Sequence, residues 1–304
     1  MFLAPDGLPL APLRFLTGIV LRRQHLTPGM VRVTLGGPDI ASIVSTGVGD
    51  EYVRLFLPDP DSGELVLPEV DDKGRWRYPE GKVPAHTCCY TIRAHRAGEI
   101  DLDFVIHEGG RASAWALQAR KGESIVLREP HPIYEAPADA RRVVFLCDAT
   151  GLPALARLLE TLPAAVEAHA VVELPHSSHR LPLASRATLR LVWLHGSGNG
   201  VGPSRLPQAL ERAQLPQDGG AYVWVACEAR AARQMRRHLR HDRGLPGRAY
   251  SVTGYWTDRQ AEWEAGWRAL DPGVRKLVDD LWVSGRDSEE IADEVDALME
   301  RHGL

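Results

Sequence analysis

The sequence predicts an α+β protein of two domains. The first is an N-terminal antiparallel β-barrel of six strands, and the second is a C-terminal α/β domain with a parallel sheet, followed by a helical tail. The first half of the chain contains short alternating strands that end at Gly or Pro, with almost no helix. Beyond residues 136–140, apolar strands alternate with helices, a pattern typical of a parallel sheet. The 304 residues, 44% of them hydrophobic, suffice for two cores.

Six short segments make up the predicted barrel. In the second segment, Val31, Val33 and Leu35 alternate with polar residues, which gives the strand one apolar face. A turn-rich stretch at 58–84 separates the third and fourth segments and is predicted as a hairpin with a mobile tip. The predicted barrel strands are residues 14–22, 30–37, 51–58, 88–94, 99–107 and 122–130.

The second half opens with a continuous apolar run at 141–149, which indicates a strand buried on both faces. Helices are predicted at 150–163 and 228–244. In the tail, Asp287 is predicted to cap the last helix, with Glu290 at its third position. We predict domain boundaries at 1–137, 138–257 and 258–304. The remaining predicted strands are residues 166–174, 188–195, 221–228 and 248–256.

Composition excludes several functional classes. The net charge of −4 gives no reason to expect nucleic acid or an anionic membrane surface as partner. No apolar run approaches the roughly 20 residues that a membrane span requires. The N-terminus lacks a basic segment before its apolar residues, so we expect no signal peptide and a cytoplasmic protein. The four cysteines form no C-x-x-C pair, so we predict no metal site and interpret them as small buried residues.

The stretch from Tyr90 to Ala116 combines features that suit a flat heterocycle carrying a pyrophosphate. An aromatic residue and a hydroxyl, Tyr90 and Thr91, precede an alternating strand that ends at His107. A Gly-rich turn then leads into a short helix. The aromatic side chain would pack on the ring, the hydroxyl would reach a ring nitrogen, and turn amides would take the phosphate charge. The alternatives are an ordinary strand dipeptide and a structural histidine.

These motifs resemble the siderophore-interacting protein family, flavin-dependent ferric-siderophore reductases built on the ferredoxin-reductase plan. The family motif Arg-x-Tyr-Thr corresponds here to Cys88-Cys89-Tyr90-Thr91, so Cys88 replaces the Arg that pairs with the pyrophosphate. The family's Gly-Pro-Ala-Ser-x-Trp-Ala follows a strand ending at His, and here Arg111 replaces its Pro. The resemblance assigns to FAD the residues Tyr90, Thr91, His107, Gly110, Arg111, Ala112 and Ser113.

Two further segments carry the same resemblance into the second half. Cys147–Leu155 is similar to the family's Gly-Asp-Glu-Thr-Ala-Leu-Pro-Ala-Ile, and its Asp148 and Thr150 match. Gly254-Tyr255-Trp256 matches the family segment near the flavin, so Trp256 would cover a flavin face or dock the C-terminal helices. The resemblance therefore adds these three side chains to the cofactor site. A basic rim for an anionic substrate is assigned to Arg54, Arg93 and Arg248, with solvated surface arginines as the alternative.

The function that the resemblance implies is FAD-dependent reduction of a ferric siderophore, with release of Fe(II). The electrons would come from NAD(P)H or a ferredoxin. No catalytic acid or base is required, because the cofactor carries the redox chemistry. The alternative is a family member with a degenerate flavin site that binds a small molecule or acts in biosynthesis without flavin. It is motivated by three departures from the family pattern: Cys88, Arg111 and Ala149.

Overall fold

The structure is a computed structural model and describes residues 14–70, 76–215 and 220–303. The chain divides into two compact units. The first unit contains the N-terminal part up to Tyr134, together with Pro153–Thr161 and Ser178–Ser185, and the second contains the rest. The predicted fold class is confirmed, because one sheet is a closed antiparallel barrel and another is a parallel sheet of five strands.

Among the described residues up to Tyr134, the first unit contains eight strands and two α-helices. Six strands close the barrel in the order β1-β2-β7-β6-β3-β8, and β4 pairs with β5 where the hairpin is predicted. Residues 71–75 of the predicted hairpin lie outside the described residues, so its mobile tip stays a prediction. The elements are β1 (Phe15–Thr27), β2 (Met30–Gly36), α1 (Pro38–Ala41), β3 (Tyr52–Leu57), β4 (Glu69–Val70), β5 (Trp76–Arg77), β6 (His86–Arg96), β7 (Glu99–Val105), α2 (Arg111–Gln118) and β8 (Ser124–Arg128).

The barrel core follows the period-2 pattern of the sequence. Val31, Val33 and Leu35 are fully buried on β2, as their alternation predicts. Helix α2 packs on this core through the small side chains of Ala112 and Ala116. Because alanines allow close approach, the start of α2 is fixed relative to the barrel strands.

The second unit is built on a parallel sheet in the order β11-β10-β9-β12-β13. The first residue of helix α3, Leu152, belongs to the second unit. The rest of the helix, Pro153–Thr161, belongs to the first unit. The elements are β9 (Arg142–Cys147), α3 (Leu152–Thr161), β10 (Glu167–Leu174), β11 (Thr188–His195), α4 (Leu206–Glu211), β12 (Ala221–Glu228), α5 (Ala229–Arg237), β13 (Tyr250–Trp256), α6 (Gln260–Ala269), α7 (Pro272–Trp282) and α8 (Ser288–Arg301).

The structure corrects two predicted boundaries in this unit. The α-helix predicted over 228–244 ends at Arg237 and continues as a π-helical turn at His238–Asp242. The last strand begins at Tyr250, because Gly247–Ala249 form a 3₁₀ turn. Arg248 therefore lies before the strand, and is exposed, instead of lying on it.

The tail is helical, as predicted, and its last helix is held by charges. Asp287 caps α8 by accepting hydrogen bonds from the amides of Glu289 and Glu290, which confirms the predicted cap. The buried Arg236 of α5 pairs with two carboxylates of α8, those of Asp293, at 3.1 Å, and Asp296. None of the helices among the described residues is long and apolar enough to cross a membrane.

Candidate functional site

The start of α2 is arranged as a place for an anion. Its N-cap residue, Gly110, has an extended backbone, and no side chain caps the helix. The first turn contains no acidic residue, so its amide groups face no competing carboxylate on the helix itself. A Cβ at Gly110 would lie 2.4 Å from the ring of His107, so only glycine lets that ring sit over the turn.

The predicted phosphate residues gather at this helix start. Ser113 is buried, and its hydroxyl accepts a hydrogen bond of 3.2 Å from the amide of His107. This bond ties the end of the β7 segment to the first turn of α2. Arg111 is exposed at the first helical position, where its guanidinium adds positive charge beside the amides. The turn therefore offers amides and one cation without a side-chain cap, which suits a phosphate group.

Strand β6 carries Tyr90 and Thr91 on opposite faces. Tyr90 packs towards the barrel core, with its ring centroid 4.2 Å from that of Phe104. Thr91 lies on the other face, where its register partner on β3 is Tyr52. Adjacent residues of a strand point to opposite sides, so the two side chains lie on different faces of β6. Their contacts with a cofactor stay a prediction.

The same strand pairs along only part of one edge. Residues His86–Thr91 of β6 pair with β3, whereas pairing with β7 covers only Ile92–Arg96. Cys88 lies on the inward face of the first stretch and packs against the core. Burial raises the pKa of its thiol to about 12, so Cys88 is uncharged at neutral pH. It supplies none of the positive charge that an Arg would bring to this position.

The cysteines only partly follow the prediction. Cys147 and Cys227 are buried, Cys88 is half-buried, and Cys89 is exposed, so the expectation of four buried residues is wrong for Cys89. The reason is the alternation along β6, which turns Cys89 outward beside its register partner Arg54.

A basic pocket of about 230 Å³ lies on this outward face of the barrel. It is lined by Tyr52, Arg54, Arg128 and His131. The pairing of β3 with β8 brings the two arginines together, and an isolated bridge between Tyr52 and His131 holds the histidine beside them. Of these four residues, only Arg54 is predicted from the sequence to contact substrate. The missed signal is Arg128, which ends a strand whose buried residues, Ile125 and Leu127, occupy the alternate positions.

Burial and the repulsion between positive charges lower the pKa values of two residues in this pocket, Arg128 and His131. Burial, and then the charge of Arg54, lower the pKa of Arg128. Burial and both arginines lower the pKa of His131 below 6.5, with Glu129 opposing them, so His131 is neutral at pH 7. Two arginine side chains therefore face a neutral imidazole in this pocket. The basic pocket is therefore positively charged and suits an anionic ligand.

The other two predicted rim arginines do not join this pocket. Arg93 forms a bidentate ion pair with Glu160, at 2.6 and 3.1 Å. Arg248 lies in the 3₁₀ turn before β13, six positions ahead of Gly254. The prediction that Arg248 lies on the last strand and points to the substrate site is thus wrong in its geometric premise.

In the second unit, Asp148 lies at the end of β9 as the centre of a hydrogen-bond network. Its buried carboxylate accepts hydrogen bonds from the amide and hydroxyl of Thr150, the amide of Glu228 and the indole of Trp256. Burial raises its pKa, and the bonds from Thr150 and Trp256 oppose that shift. These four bonds fix the strand end and dock Trp256, while direct contact of these residues with a cofactor stays a prediction.

Comparison with known proteins decides the family. Residues 19–133 match the model of the siderophore-interacting FAD-binding domain, and residues 140–259 match that of the siderophore-interacting protein. The chain belongs to the siderophore-interacting protein family. It is 31% identical over 250 residues to the NADPH-dependent ferric-chelate reductase of Escherichia coli K12, covering 80% of this chain and 93% of the relative.

Solved structures agree with this membership. A siderophore utilization protein from T. fusca matches with a TM-score of 0.70 and 34% identity, over 82% of this chain and 95% of its own. The siderophore-interacting protein SipS from Aeromonas hydrophila matches with a TM-score of 0.66 and 25% identity, over 81% and 99%. As a member of this family, the chain has a first unit that fits FAD, because the start of α2 has no side-chain cap and no acidic residue in its first turn. The part of Gly110 in an FAD site stays a prediction.

Restoring the family's arginine at position 88 should tighten FAD. In Cys88→Arg, the guanidinium would stand on β6 beside the open strand edge, so we expect roughly tenfold stronger binding, the scale of one charged hydrogen bond. Titration of the apo protein with FAD, followed by flavin fluorescence, measures the change. Cys89→Arg, on the opposite face, is the matched control and should leave FAD affinity near that of the wild type. Equal affinities for Cys88→Arg and the wild type would show that phosphate is held elsewhere.

Proposed function

We propose that this protein is an FAD-dependent reductase of ferric siderophores. The observation that carries the proposal is the arrangement of the two faces of β6. Its inward face presents Cys88 and Tyr90 towards the barrel core on which α2 packs. Its outward face presents Cys89 and Thr91 beside the β3 residues of the basic pocket. Strand β6 would therefore connect the phosphate-binding turn at the start of α2 with the basic pocket.

The chain's own residues bind and orient, while bound FAD supplies electron transfer from NAD(P)H or ferredoxin to Fe(III). Gly110, Ala112 and Ser113 would hold the pyrophosphate at the start of α2, with Arg111 as the nearby cation. Tyr90 would form an aromatic wall towards the ring system, supported by Phe104. His107 would hold the turn closed over Gly110.

The basic pocket would bind the substrate. Ferric siderophores of the catecholate or carboxylate class are anionic, so Arg54 and Arg128 would attract them and raise their local concentration. Release follows from the chemistry of iron, because Fe(II) binds hard oxygen ligands more weakly than Fe(III). Arg93 is not among the residues that line this pocket, and its guanidinium pairs with Glu160.

Each of the three predicted parts of the chain would have its own role. Residues 1–137 would bind FAD, residues 138–257 would receive NAD(P)H, and residues 258–304 would form an accessory tail. Asp148 would act by positioning Trp256 and the end of β9. A ferredoxin is the alternative electron donor, and the cytoplasm is the expected compartment because the proposed donors occur there.

A flavin-free role is the second candidate, and one observation favours it. Cys88 is an uncharged, half-buried thiol where the family places a phosphate-binding arginine. A chain that has lost this contact would keep the fold and bind a small anion in the basic pocket.

FAD binding separates the two candidates. We expect the purified protein to show the visible absorbance of flavin, or to gain it with a saturable fluorescence change when FAD is added. A protein that stays colourless and shows no saturation would support the flavin-free role. Far-UV circular dichroism of the same sample would establish that it is folded.

A further inference from the structure

The histidine of the basic pocket is held in place by its backbone. His131 follows β8 and forms an isolated antiparallel bridge with Tyr52, the first residue of β3. The amide of each residue donates a hydrogen bond of 2.9 Å to the carbonyl of the other. The two rings lie beside each other, with their centroids 5.9 Å apart. The backbone that carries the imidazole is therefore fixed in the wall of the pocket.

A buried carboxylate anchors the segment that follows His131. Asp50, just before β3, is fully buried. Its carboxylate accepts hydrogen bonds from the amide of Ile133 at 3.2 Å and from the amide of Tyr134 at 2.8 Å. The segment is thus tied to the start of β3 at both of its ends. Moving His131 out of the pocket would break these bonds, so its place there is a property of the barrel.

The charged groups around the imidazole are two arginines and one glutamate. Burial, then Arg128 and Arg54, lower the pKa of His131, and Glu129 opposes them. A proton on the ring would add a third positive charge to the pocket, so the ring is neutral at neutral pH. An anion bound in the pocket would offset the charges of the two arginines. Its presence would therefore favour the protonated ring.

The tyrosines and the thiol around the pocket do not titrate together with His131. Tyr52 lines the pocket, while Tyr78 and Cys89 interact with Arg54. Burial raises the pKa of each of these three groups above an ordinary value that is already basic. They therefore stay neutral over the range of about pH 5 to 8 in which a histidine changes its charge.

We infer that His131 takes up a proton when an anion binds in the basic pocket, and that the pocket thereby selects multiply charged anions. The inference rests on the proposed function, because it concerns the pocket assigned there to the substrate. With the proton, three cations surround the ligand instead of two. Each negative charge of the ligand interacts with the added cation, so protonation favours a ligand with several charges most. His131 is then a residue that determines specificity by charge.

The direction of the pH dependence follows from this coupling. A bound anion raises the pKa of the imidazole, so the complex holds more protons than the free protein around that pKa. Anion affinity therefore rises as the pH falls through the pKa of the complex. At higher pH the ring is neutral in both states, and affinity stays level because only the arginines attract the anion.

Equilibrium binding of sulfonates to the full chain tests the inference without any turnover. Sulfonates are strong acids, so benzenetrisulfonate carries three negative charges and benzenesulfonate carries one throughout the pH range used. Titration calorimetry at constant ionic strength compares both probes at about pH 8 and about pH 5.5. We expect wild-type affinity for the trisulfonate to rise roughly tenfold on acidification, the scale of one charged contact. The affinity for benzenesulfonate should rise less.

Variants at two histidines assign the proton to its site. His131→Gln should flatten the pH dependence, because glutamine takes up no proton. His131→Lys should bind the trisulfonate more tightly than the wild type at about pH 8, because its cation is already present there. His169→Gln is the matched control. The pKa of His169, on β10, is likewise lowered by burial and by two arginines, Arg142 and Arg190, but this residue does not line the pocket. This variant should keep the wild-type pH dependence.

Proton uptake itself gives a second readout. Calorimetry in two buffers of different ionisation enthalpy should show that the wild type takes up protons with the trisulfonate, whereas His131→Gln takes up none. Wild-type affinity that does not change with pH would overturn the inference, as would the absence of saturable binding at both pH values, and neither result needs a variant to fold. A pH dependence kept by His131→Gln with wild-type circular dichroism would also overturn it.

The comparison of the two probes tests the selection by charge. Equal effects of pH on the affinities for the trisulfonate and for benzenesulfonate would contradict it. These binding measurements need neither flavin nor iron. A protein that fails to reduce a ferric siderophore would therefore sink the proposed function and leave the proton-coupled binding of sulfonates intact.

Discussion

Replacing Arg157 by Met is expected to destabilise the first unit by about 3–5 kcal/mol, the cost of removing one partner from a buried ion pair. Glu51 is fully buried, and Arg157 contacts its carboxylate at 2.7 Å. The same carboxylate accepts hydrogen bonds from Ser45 and Thr46. Without Arg157, the negative charge would remain buried with only neutral donors around it.

The pH dependence of this pair follows from the pKa of Glu51. Burial alone would raise that pKa, but the hydrogen bonds from Ser45, Thr46 and Arg157 outweigh it, so the pKa lies below its ordinary value of 4.5. A carboxyl whose pKa is lowered by folding stabilises the native state above 4.5, and this contribution is lost as the pH falls through the folded pKa. We expect the variant to lose less stability than the wild type on acidification below pH 4.5.

Hydrogen exchange followed by mass spectrometry measures this effect in the barrel itself. Peptides that cover β3 should exchange faster in Arg157→Met, because local opening requires less free energy. Arg93→Met is the matched control, since Arg93 pairs with a carboxylate of Glu160 that is 40% exposed and should contribute at most about 1 kcal/mol. Similar losses in both variants would contradict the special role of the buried pair.

Charge reversal at Arg54 is expected to give the largest effect on activity. In Arg54→Glu, the basic pocket loses one cation and gains an anion next to Arg128, so an anionic ferric siderophore is no longer attracted. We expect the second-order rate of flavin reoxidation to fall by roughly 10- to 100-fold at low salt. The difference should shrink as ionic strength rises, because screening weakens encounter between charges.

The control for this experiment is Arg248→Glu. Arg248 is exposed before β13 and is not among the residues that line the basic pocket, so its reversal changes net charge equally without changing the pocket. Stopped-flow measurement of reoxidation at low and high salt compares the two variants with the wild type. Equal rates for Arg54→Glu and the wild type at low salt would remove the pocket from the substrate path.

The elements that could be predicted are those whose information is local. The alternation of residues such as Val31 and Val33 is enough to predict the barrel strands. Asp287 is enough to predict where α8 begins, because a cap depends only on residues nearby in the sequence. The contacts among His107, Gly110 and Ser113 are also local, since the three residues lie within one short segment, while phosphate binding there stays a prediction.

The features that were missed depend on contacts between distant residues. Arg128 joins Arg54 only because β3 pairs with β8, and Arg93 is occupied only because Glu160 lies beside it. Arg248 was misplaced because Gly247–Ala249 form a 3₁₀ turn before β13, which the pattern of strand-forming residues does not reveal. The network around Asp148 likewise needs Trp256, which follows it by more than a hundred residues.

A single anaerobic mixing experiment tests whether the reduced flavin of this protein transfers electrons to a ferric siderophore. Wild-type protein loaded with FAD is reduced with NADPH, freed of excess donor, and mixed with an anionic ferric siderophore in the presence of an Fe(II) trap. We expect the visible flavin absorbance to return as the trap colours, with two Fe(II) formed for each flavin, because a reduced flavin holds two electrons. A flavin that remains reduced while the siderophore stays ferric would contradict the account.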